Sequence, residues 1–493
     1  MRSSTPLVRS AVLLSLCGCA GEDRRPGATP ALALEACQLG AAGSPSRLAA
    51  RCGVLAVSED RSKPDGRSID LRIAIVPAVS RNPERDPLVF LTGGPGQAAT
   101  ETYPTLAPAF RRISRDRDVV LVDQRGTGGS NALRCPEEQV KDLALLGEDE
   151  IGPWVARCLE DLAGDPRFYT TSIAMTDLDE VREALGYERV NLYGLSYGTR
   201  AALTYLRMFP ERVRAVILDG VVPPTEVLGQ DVAKDAERAI DLVIARCSSD
   251  SRCREAFPDL SQDLDSVMER LETPVTVALR HPRTGEMEEI PFSREMAAYA
   301  IRLLSYSQET ASIVPLLLSS AARSDLAPLA AQFLIVTARV GETMAEGMGI
   351  SVVCSEDFPF FEEEAIVERN RDTYLGALQT DSLKLVCPLW PRGDVSADFK
   401  TPVPPSAPVL LLSGEADPVT PPDNGELTAS QLGAKAALHL VARGQGHIVI
   451  HRGCIPHLAA DFIERGGFEG LDAGCVSDIA PQPFFLNYAG PTP

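Results

Sequence analysis

One stretch constrains this chain more than any other: Val190-Asn191-Leu192-Tyr193-Gly194-Leu195-Ser196-Tyr197-Gly198-Thr199. Strand-forming residues run into Gly-x-Ser-x-Gly, and a helical run, Arg200 to Leu206, follows. A strand that turns sharply into a helix at a serine forces that serine into a strained backbone conformation. The residues two before and two after it must then be small, and both are glycine, Gly194 and Gly198. The alternative is a chance Gly-x-Ser-x-Gly in a loop, which the strand before and the helix after argue against. The Ser196 hydroxyl is therefore the candidate nucleophile.

The elbow predicts an α/β fold with a mostly parallel sheet. Pro87-Leu88-Val89-Phe90-Leu91 and Val119-Val120-Leu121-Val122 are short apolar runs suited to strands buried on both faces, and Val213 to Asp219 is another. Between them, Thr176 to Gly186 starts at a capping residue and stops at glycine, which predicts a helix. Strand, helix, strand, helix, strand at this spacing implies right-handed crossovers. Cys52 to Val57 and Ser68 to Val76, joined through Pro64-Asp65-Gly66, predict an antiparallel hairpin opening the sheet.

Two glycine-rich loops leave the early strands. Thr92-Gly93-Gly94-Pro95-Gly96-Gln97 follows the first, where free backbone N–H groups can point at developing negative charge. The N–H of Gly94, with Gly93 beside it, and that of Tyr197 are the candidate oxyanion donors. A phosphate loop is the rival reading, but the Lys-Ser/Thr ending is missing. Asp123-Gln124-Arg125-Gly126-Thr127-Gly128-Gly129-Ser130 follows the second strand and reads as support, with Asp123 or Arg125 binding the loop in place.

A serine hydroxyl needs a base to take its proton, and an imidazole base needs a carboxylate to fix its tautomer and stabilise its cation. The sheet resumes at Pro408 to Ser413 and runs into Gly414-Glu415-Ala416-Asp417-Pro418; a further strand, Ala437 to Val441, precedes Gly444-Gln445-Gly446-His447. Asp417 and His447 thus sit just past strand ends, on the edge that carries Ser196. Of the five histidines, His281 falls in an inserted region, His439 within a strand, and His451 and His457 after the loop, which leaves His447 as the base. Glu415 competes with Asp417, but Asp417 precedes the Pro418 turn that presents a carboxylate.

Between Pro224 and Ser396 the pattern becomes mainly helical, with amphipathic pieces at Asp231–Arg246 and Ser261–Leu271, a hairpin about His281 to Gly285 and an Ala/Leu-rich run from Ile313 to Val340. An insertion here covers the carboxyl ends of the strands as a lid. The expected organisation is a signal peptide at 1–18, a tether at 19–35, a catalytic core at 36–224, a helical lid at 225–396 and the rest of the core at 397–493.

Charge and cysteines speak to location. With 48 basic against 68 acidic residues, the net charge of −20 argues against a nucleic-acid partner. Arg2 and Arg9 flank a short start, and Ala11 to Leu16 is apolar but too short to span a bilayer. It ends in Leu16-Cys17-Gly18-Cys19, which resembles a bacterial lipobox with Cys19 as the lipidated residue; a plain secretory signal is the alternative. Setting Cys17 and Cys19 aside from the 12 cysteines leaves ten, an even number that reads as disulfides in an exported chain; pairing sequence neighbours gives five short loops. No Cys-x-x-Cys or His-x-x-x-His pattern supports a metal site instead.

Taken together, Gly93-Gly94-Pro95-Gly96, Asp123 to Ser130, Gly194 to Thr199, Gly414 to Asp417 and Gly446-His447, from about Cys52 to Cys475, resemble the α/β-hydrolase group that includes proline iminopeptidases and bacterial tripeptidyl aminopeptidases. The order Ser, Asp, His is that of this fold. The resemblance implies a serine exopeptidase with no metal and no cofactor, acting on short peptides with a free amino terminus and touching a membrane only through a lipid at Cys19. It departs at Thr92, where proline iminopeptidases usually carry histidine, which favours the tripeptidyl branch. It also implies carboxylates for a protonated amine: Glu356, then Asp357, beside Cys354, with a Cys354–Cys387 bond pinning the segment. The competing functions are an esterase or amidase on the same three residues, and a non-catalytic surface-binding protein.

Overall fold

The computed structural model describes residues 32–41, 46–135 and 146–490. Cys17 and Cys19, and with them the expected signal and lipobox, lie outside the described residues. Nine strands form one sheet: β1 (Glu35–Leu39), β2 (Leu48–Ser58), β3 (Ser68–Val76), β4 (Leu88–Leu91), β5 (Val119–Val122), β6 (Val190–Leu195), β7 (Val213–Asp219), and, after β8 (Val275–Arg280) and β9 (Met287–Phe292) of the lid hairpin, β10 (Val409–Gly414) and β11 (Ala437–Ala442). Their order is β1-β2-β3-β5-β4-β6-β7-β10-β11. The first three are antiparallel meanders, β3 pairs β5 antiparallel, and everything from β5 to β11 is parallel.

The central strands are buried at nearly every position and mainly apolar, β4 and β5 throughout, because helices cover both faces. Alternate side chains divide cleanly between two cores. Phe90, Tyr193, Ile217 and Leu412 face one side with Tyr103, Phe110 and Phe462. Val89, Leu192, Val216 and Leu411 face the other with Leu178 and Leu203. On the first side Phe90 stacks on Tyr193 at 5.3 Å and meets Phe110 edge-on at 5.9 Å. Fully burying one such side chain contributes about 1.5–3 kcal/mol, so a polar residue at any of these positions would compromise the sheet.

The lid has its own core. Ala236, Ile240, Val243 and Cys247 recur at helical spacing on Val232–Ser249 and pack with Leu264, Phe292, Ile301, Leu317 and Phe333. The Ala/Leu-rich run is two helices, Val314–Ala322 and Ala327–Thr343, broken at Ser324, which adopts φ 76°. Helix Glu148–Asp161, which precedes the nucleophile in sequence, packs through Trp154 and Val155 against Ile350, Val386 and Trp390 of the lid, so the lid rests on more chain than its own insertion. The five disulfides join sequence neighbours: Cys37–Cys52, Cys135–Cys158, Cys247–Cys253, Cys354–Cys387 and Cys454–Cys475.

Candidate active site

Ser196 stands between β6 and helix Tyr197–Met208 with φ 53° and ψ −128°, a conformation a non-glycine residue adopts at a cost of about 1–3 kcal/mol. Its surroundings hold it there. Ser196 N donates to Asp219 O at 2.9 Å, and its carbonyl accepts from Thr199 N at 2.8 Å and Thr199 Oγ1 at 2.6 Å. A Cβ on Gly194 would strike the Gly198 carbonyl, and one on Gly198 would strike the Leu91 carbonyl, so the pattern's glycines are needed for close backbone approach. Ser196 Oγ makes no hydrogen bond among the described residues, as is common for a nucleophile before substrate tightens the site.

The loop after β4 crosses directly over the serine: a Cβ on Gly93 would lie 3.0 Å from Ser196 Cβ. Gly94 and Gly96 take φ 108° and 121°, and the Gly94–Pro95 peptide is cis. Tyr197 opens its helix, where backbone N–H groups have no intrahelical acceptor and the helix dipole favours negative charge. The next loop is the support it was read as. The buried Asp123 carboxylate accepts from Thr100 N and Thr100 Oγ1, each at 2.9 Å, and from Gly129 N at 3.0 Å; Arg125 forks onto Asp177 at 2.6 and 2.7 Å.

Asp417 and His447 meet where β10 and β11 end. Asp417 Oδ2 lies 2.8 Å from His447 Nδ1, while its Oδ1 accepts from Val419 N and Thr420 N at 2.9 Å and its Oδ2 also from Thr420 Oγ1 at 2.8 Å. Burial alone would raise the Asp417 carboxyl, but the histidine's charge and hydrogen bond outweigh it and hold the group below the usual carboxylate range. Burial would likewise neutralise His447, and Asp417 reverses this, raising the imidazole above its ordinary value. Gly220, at the end of β7, packs against the same ring: a Cβ there would meet His447 Cε1 at 2.9 Å. Glu415 has a different task, accepting from Gly444 N at 2.6 Å and so tying the acid loop to the histidine loop. His439 is engaged within the sheet by Ser413 Oγ at 2.9 Å.

Comparison with known families agrees with this fold. Residues 86–254 match the family model described as alpha/beta hydrolase fold, and residues 372–475 match that described as TAP-like protein. The chain has the α/β-hydrolase fold. Across 463 residues, 86% of this chain and 87% of the relative, the hydrolase is 26% identical to serine protease Hip1 of Mycobacterium tuberculosis. Tripeptidyl aminopeptidase of Streptomyces coelicolor is 29% identical over 208 residues, 37% of this chain and 38% of the other. Proline iminopeptidase of Neisseria gonorrhoeae is 30% identical over 143 residues, 29% and 34% of the respective chains.

The two expected amine-binding acids are placed otherwise in the hydrolase. Asp357 is fully buried and already occupied: Arg200 Nη1 reaches its two oxygens at 3.0 and 2.9 Å, Leu228 N donates at 2.9 Å, and Lys400 Nζ closes the cluster. A carboxylate saturated by two cations has nothing left for a substrate ammonium. Glu356 is buried too, accepting from Thr171 N at 2.5 Å and Thr171 Oγ1 at 2.8 Å; that hydroxyl is 2.6 Å from Tyr197 Oη. Burial pushes the Glu356 carboxyl up to about 7 against the pull of Arg200. Both acids therefore lock the lid helix Glu346–Glu356 onto the nucleophile helix, at Tyr197 and Arg200. The sequence shows an acid near a cysteine but not the arginine that faces it.

Two groups escaped the sequence reading. Asp219, fully buried at the end of β7, accepts from Tyr193 Oη at 2.9 Å, Val449 N at 2.9 Å and Ile450 N at 2.8 Å, and so fastens the chain just past His447. Burial lifts its carboxyl to about 6 despite these donors. An aspartate closing an apolar strand was the available signal. The second is an acidic pair on the chain leaving Gly220. Glu226 is pushed up to about 7 by burial and then by Asp231, and Asp235 up to about 8 by burial and then by Glu226 and Asp231. Neither carboxylate has a hydrogen-bond donor among the described residues.

Proposed function

We propose that the protein is an exported serine aminopeptidase that removes short units, one to three residues, from the amino terminus of peptides. The observation that carries the chemistry is the Asp417–His447 pair at 2.8 Å, set beside Gly220 at the strand ends that also present Ser196. In this reading His447 Nε2 takes the Ser196 proton as Oγ bonds to the scissile carbonyl carbon. The carbonyl π electrons move onto oxygen, and the N–H groups of Gly94 and Tyr197 receive that oxyanion. His447 then gives its proton to the departing amine as the C–N bond breaks, leaving an acyl-enzyme. Water attacks the ester by the same route in reverse, regenerating Ser196. Asp417 stays ionised throughout and stabilises the imidazolium.

Selection of a free amino terminus falls, in this reading, to Glu226 and Asp235. Burial first, and then neighbouring carboxylates, Asp231 beside Glu226 and both Glu226 and Asp231 beside Asp235, raise the cost of their charge, and an arriving ammonium relieves that cost. They lie on the stretch that runs from Gly220, against His447, into the first lid helix. The relatives named as tripeptidyl aminopeptidase and proline iminopeptidase support the same class. Export is supported by the five disulfides, and a lipid on Cys19 is the proposed anchor. Among the described residues no helix is long and apolar enough to cross a membrane.

The test is mass spectrometry of the products from a mixed peptide library. Release of units of one to three residues from amino termini is expected. Cleavage at internal bonds, or of ester substrates alone, would overturn the proposal, the latter in favour of an esterase on the same three residues.

A further inference from the structure

The acid and histidine loops belong to the core, yet lid atoms hold both. Arg238 lies on the first lid helix, Val232–Ser249, and its guanidinium spans the acid loop: Nη1 donates to Glu415 O and Nη2 to Asp417 O, each at 2.8 Å. The histidine loop is held by the lid segment that follows helix Arg294–Leu304. His447 N donates to Tyr306 O at 2.7 Å, the Tyr306 ring meets the His447 ring edge-on at 5.4 Å, and Gln308 Nε2 donates to Gly444 O. A Cβ on Gly446 would collide with the Tyr306 carbonyl, so the two segments are in backbone contact.

We infer that Arg238 is a positioning residue for catalysis: the docked lid, through Arg238, sets the placement of Asp417 and hence the charge and orientation of His447. This rests on the reading of Ser196, Asp417 and His447 as the reacting group. A guanidinium reaches two carbonyls through a rigid planar fork, whereas an ammonium offers rotatable donors that fix their mutual placement less. The two acceptors lie two residues apart and bracket the turn that aims the Asp417 carboxylate. Without the fork, the turn keeps its ties to the histidine loop, Glu415 N to Ala442 O at 3.0 Å, Ala416 N to Gln445 O at 2.8 Å and Gly444 N to the Glu415 carboxylate. It also keeps the bonds of Asp417 to Val419 and Thr420 but loses its tie to the lid helix at the Asp417 carbonyl itself, and the 2.8 Å bond to His447 is free to lengthen. The lid is then part of the catalytic machinery as well as a cover that admits substrate.

The test compares Arg238→Met and Arg238→Lys with the parent enzyme and with Ser196→Ala. The readouts are kcat and KM on one tripeptidyl amide, and the strongly deshielded Nδ1–H proton signal of the His447–Asp417 bond. For Arg238→Met, kcat is expected to fall roughly 10- to 100-fold, the loss a displacement of about 1 Å produces, with KM within about threefold. The Nδ1–H signal should broaden or shift while the thermal transition persists. Arg238→Lys should recover kcat only in part, and it serves as the readout if Arg238→Met does not fold. Unchanged kcat and an unchanged Nδ1–H signal in both variants, with Ser196→Ala inactive, would overturn the positioning role alone. An active Ser196→Ala would overturn the underlying reading instead.

Discussion

The sheet and the lid of this hydrolase solve different problems. The sheet offers the candidate reacting side chains from loops at strand ends, over packing that is mainly apolar, Phe90, Tyr193, Ile217 and Leu412 on one face and Val89, Leu192, Val216 and Leu411 on the other, with Asp219 and Asp123 fastening the loops through backbone N–H groups. The lid meets that layer through buried charge. Arg200–Asp357–Lys400 and Glu356–Thr171–Tyr197 join it to the nucleophile helix, and Arg238 and Tyr306 join it to the acid and histidine loops. Buried pairs add little net stability compared with apolar packing, but losing one partner is costly, which makes such joints specific in geometry.

That contrast can be broken by mutation, and the largest effects belong to the sheet. Ser196→Ala should abolish turnover, a loss of about 10⁶ in kcat, while leaving binding of a peptide product measurable by calorimetry. Asp417→Asn should cost about 10⁴ through the wrong tautomer, with the fold intact by circular dichroism. A lid substitution should instead act on recognition. Asp235→Asn, or Glu226→Gln, should raise KM for free-amine substrates by roughly 10- to 100-fold, one to two ion-pair contacts' worth, with kcat less affected. The same variants should leave KM for an amino-blocked substrate unchanged. Asp357→Asn tests the joint itself. It leaves Arg200 and Lys400 facing each other without their carboxylate, so stability should drop by about 3–5 kcal/mol in urea unfolding. An effect confined to KM, with stability unchanged, would return Asp357 to the substrate site.

The smallest expected effect is on pH. In the proposed mechanism turnover needs neutral His447, and Asp417 stabilises the protonated ring, so the ring keeps its proton to higher pH. The acid limb of kcat/KM should therefore have its midpoint above the ordinary histidine value of about 6.5, with activity rising as pH passes through it. Weakening the Asp417–His447 bond should move that limb downwards.

Much of the sheet was readable beforehand for reasons specific to it. A strand buried on both faces must be apolar throughout, as Val119–Val122 is, and a strained serine must have glycines two residues away. Asp417 and His447 followed from strand ends. The antiparallel entrance was read short, since β1 is a five-residue strand that is mostly exposed, with only Leu39 buried, and so shows no period-two pattern. The lid resisted because its decisive contacts join residues far apart in sequence: Glu356 to Thr171, Arg200 to Asp357, Arg238 to Asp417. Nothing local separates an aspartate that binds a substrate amine from one that neutralises a buried arginine.

The claim on which the account turns is that a free amino terminus is what the site selects. Measuring kcat/KM for one tripeptidyl amide and for the same compound acetylated at its amino group tests it most directly. The account predicts at least about a 100-fold preference for the free amine, the worth of a desolvated ammonium–carboxylate contact. Equal kcat/KM for the two would contradict it.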